Sequence, residues 1–150
     1  MKNVCGLDVH KDSIFMCIIK ENGDKIEEKF GVLTPELDRL RDLLVYHSVG
    51  DIAMESTSIY WIPIWRVLYS DFNIKLVNPY FIKQLPGRKS DVKDAHWIAT
   101  VLQKELIKGR FIPEPIIQEL RLYDRRIFYL NRSLQRAEQN IDLIFQRCNI

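Results

Sequence analysis

The order of apolar runs along this chain leaves few folds open. "NVCGLDV" (3–9) and "SIFMCIIK" (13–20) are short, apolar and rich in β-branched residues, so both read as strands. "ENGD" (21–24) is an Asn-Gly turn, and "KIEEKFGV" after it reads as a third strand, polar enough to lie at a sheet edge. "TPELDRLRDLLVYH" then predicts a helix with Thr34 as N-cap, Pro35 at the first helical position, and Leu37, Leu40, Leu43 and Leu44 on one face. "DIAMES" (51–56) is a strand, "IYWIPIWRVLYS" a helix with Pro63 near its start, and "NIKLVNP" a further strand. Right-handed crossovers place each new parallel strand on the free side of strand one, which predicts a mixed α/β sheet of five strands in the order 3-2-1-4-5.

Beyond the loop "LPGRKS", residues 91–107 keep helical spacing through Ala95, Ile98, Ala99, Leu102 and Leu106, and "GRFIPEP" ends that helix. The last segment differs. Leu120, Tyr123, Ile127, Leu130, Leu134, Ala137, Ile141, Ile144 and Cys148 recur at alternating steps of three and four, a heptad seam of about four heptads. A long coiled-coil helix is expected, with the division of the chain at 1–112 and 113–150 and self-association through the seam. This helix reaches "QRCNI" without Gly or Pro, which suggests a chain cut from a longer protein. Its arginines, among them Arg121, Arg125, Arg126, Arg132 and Arg136, read either as a solvated face or as contacts for nucleic acid.

At 150 residues the chain has the size of one ordinary domain, and its net charge of +2 leaves any nucleic-acid affinity to local basic patches. Cys5, Cys17 and Cys148 match no zinc or disulfide spacing and read as reduced thiols of a cytoplasmic protein. No signal peptide precedes the first strand, and no apolar run approaches the roughly 18 residues that a membrane span needs.

Within this frame Asp8 stands out, because a carboxylate in a buried strand costs several kcal/mol, or about that, unless something offsets it. The predicted sheet sets Asp8, toward the end of strand one, beside Glu55 at the end of strand four, where the connections diverge and ligands bind in open α/β sheets. Asp91 and Asp94, three residues apart in the first turn of a helix, share a face, although acids at that position also serve the helix dipole. Four converging carboxylates repel one another unless a divalent cation neutralises them, and an all-oxygen set suits Mg²⁺ or Mn²⁺. Lys11, Arg88, Lys89 and Lys93 lie close to these acids in sequence and are candidate phosphate contacts, or solvated partners of the acids. Tyr60 and Trp61 read as stacking residues or as part of a helix core face with Ile64 and Leu68. His10 shares the parity of Asp8 and reads as a surface-turn histidine, with support of the acids as the alternative.

"GLDVHK", "MESTSIYW" and "GRKSDVKDA", with the heptad helix behind them, resemble the four-acid signature of the DEDD insertion-sequence transposases of the IS-one-ten type, described as bridge-RNA-guided recombinases. The resemblance spans the whole chain and implies an RNase H-like, RuvC-type domain that uses Mg²⁺ in cutting and rejoining DNA. It further implies Asp8, Glu55, Asp91 and Asp94 as catalytic metal ligands, a guide RNA, dimer contacts through the coiled coil, and a serine nucleophile in a C-terminal domain. No serine here matches that nucleophile, and Ser90 stands where the family carries Thr. Two other readings remain open: an actin- or sugar-kinase-like phosphotransferase, whose second Gly-rich phosphate loop is missing here, and a non-catalytic coiled-coil assembly module.

Overall fold

The computed structural model of the chain describes residues 3–84, 94–107 and 109–150. Strands β1 (Asn3–Val9), β2 (Ile14–Ile19) and β3 (Lys25–Phe30) form an antiparallel meander, turned at residues 10–13 and at the Asn-Gly turn, where Gly23 takes a positive φ of 90°. Helix α1 (Thr34–Tyr46) leads to β4 (Val49–Ser56), and α2 (Trp61–Leu68) leads to β5 (Asn73–Val77), both strands parallel to β1. The sheet order is β3-β2-β1-β4-β5, the mixed five-stranded, RNase H-like arrangement that the sequence predicts.

β1 lies at the centre and is buried on both faces, which explains its nearly continuous apolar run. Val4 belongs to one face, with Cys17, Ile19, Ala53 and Val77, and packs with helix α4 (Asp94–Gln103) through Ala95, Ile98, Ala99 and Leu102. The alternate residues Cys5, Leu7, Ile52 and Met54 turn to the other face and are fully buried there, closed by α1 with Leu37, Leu40 and Leu44 and by α2 with Ile64, Trp65 and Leu68. Each such leucine or isoleucine contributes roughly 1.5–3 kcal/mol by leaving water. On the edge strand β3 only Phe30 is buried, and the Arg39 guanidinium covers its ring at 4.6 Å.

Two local expectations change. The N-cap of α1 is Leu33, held extended at φ −79° and ψ 154°, and its carbonyl accepts from Glu36 N at 2.9 Å and Leu37 N at 3.1 Å. Thr34 is therefore the first helical residue and its hydroxyl caps nothing. Helix α3 (Pro79–Gln84) was not expected, since six residues are too few to show a helical period. The first part of the helix expected over 91–107 lies outside the described residues, and α4 ends at Gln103.

The chain divides into two units, Met1–Phe111 and Ile112–Ile150. The second unit is dominated by α5 (Pro115–Arg147), a single helix of 33 residues with no buried residue. Among the described residues no helix is long and apolar enough to cross a membrane.

Candidate metal and nucleic-acid site

β1 and β4 run side by side in parallel, and their register pairs Asp8 with Glu55, each one residue from the end of its strand. Both are buried, and they are the buried charged residues among those described. Paired positions on adjacent strands lie about 4.8 Å apart, so two carboxylates are held next to each other on the face that α4 covers. They stand where the chain leaves β1 toward β2 on one side and β4 toward β5 on the other, at the carboxyl ends of the parallel strands.

Asp94 comes to the same cleft as Asp8 because α4 lies almost directly on β1, and Gly6 is the reason. A Cβ on Gly6 would sit 2.2 Å from the Ala95 carbonyl oxygen and 2.5 Å from the Ala99 nitrogen, both backbone atoms of α4. Only a residue without a side chain lets helix and strand approach so closely. Ala95 and Ala99, small and buried, provide the matching surface on the helix. In consequence the first turn of α4 brings Asp94 to the wall of a cleft of about 430 Å³ that is also lined by Asp8, Phe15, Glu27, Glu28 and Lys29.

The His10 ring lies just past the end of β1 and its Nε2–H donates to Asp8 Oδ2 at 3.1 Å, since an ionised carboxylate can only accept. The same ring meets Phe15 edge to face at 5.8 Å between centroids, and Lys29 Nζ lies over the Phe15 ring at 5.2 Å. His10 is thus both exposed and in contact with an acid of the site, which joins the two sequence alternatives. Phe15, Glu27, Glu28 and Lys29 were missed in the sequence. Their signal was the hairpin register, which pairs Asp8 with Phe15 and Phe15 with Lys29, and it becomes readable only once both turns are placed.

Lys11 is exposed in the turn after β1, beyond Asp8. Asp91, Arg88, Lys89, Ser90 and Lys93 lie outside the described residues. Trp61 packs against Trp65 at 6.4 Å and Trp65 stacks on Tyr69 at 4.6 Å, so the aromatic row of α2 is engaged with itself, with Trp65 in the core. Among the described residues no three His, Cys, Asp or Glu side chains are grouped closely enough to hold a metal ion. In kind, Asp8, Glu55 and Asp94 fit such an ion, since all three offer carboxylate oxygen and none offers sulfur.

The mixed 3-2-1-4-5 sheet, the RNase H-like order, places one acid at the end of each of its two central parallel strands, with Asp94 of α4 lining the cleft beside Asp8. Residues 5–150 match the family profile of the DEDD transposases of the IS110 type, described as "Transposase", and the chain belongs to that family. Among solved structures it is similar to the Fowlpox virus resolvase in complex with its substrate Holliday junction DNA, at 11% identity over 71% of this chain and 99% of that one, with a TM-score of 0.44. A comparison with curated proteins finds no match.

Proposed function

We propose that the first unit is the metal-dependent DNA-cleaving domain of a transposase, with Asp8, Glu55, Asp91 and Asp94 as its catalytic carboxylates and Mg²⁺ or Mn²⁺ as its cofactor. The observation that carries this reading is the pairing of two buried acids, Asp8 and Glu55, in the β1–β4 register, with Asp94 on the wall of the cleft beside Asp8. Adjacent buried carboxylates repel, and a divalent cation with a preference for oxygen offsets that repulsion best. When bound, such an ion would activate water and offset charge on the phosphodiester oxygens. Asp8 and Glu55 provide the fixed half of the ligand set, because both ride on central strands whose backbones are locked by hydrogen bonding on either side. Asp94 provides a part that depends on where α4 sits, and Asp91 is included on its sequence spacing alone. His10 holds one oxygen of Asp8, which helps fix the orientation of that carboxylate. Lys11, together with Arg88, Lys89 and Lys93, would hold DNA phosphates and set the register of the strand without reading its sequence.

The family implies that rejoining requires a serine from a C-terminal domain and a guide RNA that selects the target, with the protein acting on nucleoid DNA in the cytoplasm. It also implies a dimer formed through α5. The test is Mn²⁺-dependent nicking of supercoiled DNA by the 150-residue chain. Asp8→Asn is expected to reduce nicking at least about 100-fold while the thermal melt persists. Equal nicking by the wild type and the variant would overturn the assignment, and tight ATP binding would favour the phosphotransferase reading instead.

A further inference from the structure

The seam residues of α5 are all open to solvent, with Tyr123, Ile127, Leu130, Leu134 and Ile144 more than half exposed, on a helix about 50 Å long. A stripe of this length is unusual on a soluble surface, and its heptad spacing fits another helix of the same kind. The residues of α5 also specify which way that helix runs. With Leu120, Ile127, Leu134, Ile141 and Cys148 at one core position and Tyr123, Leu130, Ala137 and Ile144 at the other, a parallel pair stacks each residue on its own copy. Tyr123 would then crowd Tyr123, and Ala137 would face Ala137 across a void, a combination that packs poorly at both layers. The flanking charges disfavour it too, because Glu119 would face Asp124 and no pair of opposite charge would form.

Resting on the reading that the chain self-associates through α5, we infer that the two copies pair antiparallel, with Leu130 against Leu134 at the middle and Glu119 opposite Arg147 of the second copy at each end. In this register Tyr123 packs on Ile141 and Ala137 on Ile127, so the two layers that pack poorly in a parallel pair each match a larger residue with a smaller one, and the remaining layers from Leu120 to Ile144 pair aliphatic residues of similar size. The flanks gain Ile117 against Phe145, both partly exposed in the single chain, beside the Glu119–Arg147 pairs. Asp124 opposite Glu138 is the like-charge cost, and the parallel arrangement carries a like-charge cost of the same kind. Sliding by one heptad in one direction would set Arg126 against Arg147. Sliding in the other would set Ile117 against Glu138 and Glu119 against Asn140, and either slide shortens the seam. The full-length antiparallel register is thus the one that satisfies volume and charge together.

Cysteine cross-linking separates the arrangements, because Cys5 and Cys17 are buried and Cys148 is exposed. In the antiparallel pair the two Cys148 residues lie at opposite ends, about 48 Å apart by helical rise, and Cys148 instead faces Ile116 of the second copy. Under a mild oxidant, which takes two electrons and two protons from each thiol pair, the wild-type chain is expected to give almost no covalent dimer on non-reducing gels. Ile116→Cys is expected to give covalent dimer, and Ile116→Cys with Cys148→Ser to lose it. Efficient cross-linking of the wild type through Cys148 would establish the parallel pair and overturn the inference. Failure of Ile116→Cys to cross-link would overturn the register. Sedimentation equilibrium of the wild-type chain reads the underlying association separately: a dimer without the predicted cross-link refutes the antiparallel register but leaves self-association standing, and a monomer at tens of micromolar refutes both.

Discussion

Replacing Gly6 with alanine tests the geometry on which the site depends. The new methyl would stand 2.2 Å from the Ala95 carbonyl oxygen and 2.5 Å from the Ala99 nitrogen, and a third atom, Ala99 Cα, lies at 3.1 Å. All three belong to the α4 backbone, so no rotamer relieves the clash and the helix must retreat from β1 by about 1 Å to restore ordinary contact. That retreat loosens Ala95, Ile98, Ala99 and Leu102 against the sheet at once. Overpacking typically costs about 1–3 kcal/mol, and the absence of any flexible partner puts Gly6→Ala at the upper end, about 3 kcal/mol. For a chain of this size the melting temperature should fall by about 12 °C, read by circular dichroism or calorimetry. The same shift moves Asp94 relative to Asp8, and misplacement on the scale of 1 Å should lower metal-dependent nicking about 100-fold below the melting range. Gly31→Ala is the control, since its new methyl meets only the Glu36 side chain, 3.3 Å away at Cγ, which can swing aside. A Gly6→Ala protein melting within 2 °C of the wild type, roughly the assay's discrimination, would refute the close helix–strand approach and the role assigned to Gly6.

His10→Ala should leave stability within about 0.5 kcal/mol, because the ring is exposed, yet lower Mn²⁺ affinity about tenfold by releasing the Asp8 oxygen it holds; His10→Gln should recover part of that loss. Unchanged affinity in His10→Ala would remove His10 from the site. In native protein one thiol per chain, Cys148, should react with an aromatic disulfide reagent, against three in denaturant, since Cys5 and Cys17 are buried. Burial pushes the Cys5 thiol up, with Cys17 beside it adding to the shift, so the folded state holds that proton more tightly than the unfolded chain. Its stabilising contribution is complete below the unfolded thiol's range and should be lost as pH rises beyond about 9, seen as an alkaline decline in melting temperature that Cys5→Ala lessens.

The strands were legible because their β-branched runs are interrupted by strong turn residues, and the crossover rule then left one placement for β4 and β5. The Asp8–Glu55 pairing followed from that topology alone. The cap of α1 was misread by one residue because Thr and Pro at 34 and 35 mimic an N-cap and N1, while the extended backbone at Leu33 carries the cap without a side-chain oxygen. Gly6 was not readable as a contact point, since a glycine in a strand does not state what lies above it. His10 stayed ambiguous for a related reason: residues two apart share a face only while the strand lasts, and β1 ends at Val9. Along α5 the apolar spacing reveals the seam, and the direction inferred for its pairing emerges only when the flanking charges at both ends of the helix are compared.

Calorimetric titration of Mn²⁺ into the wild-type chain beside Asp8→Asn, Asp91→Asn and Asp94→Asn is the measurement to make on the site itself. If β1 and α4 contribute to one ion site, the wild type should bind saturably and all three variants should lose at least about tenfold in affinity while still melting cooperatively. Equal affinity across the four proteins, or loss in Asp8→Asn alone, would contradict a site shared between the sheet and the helix.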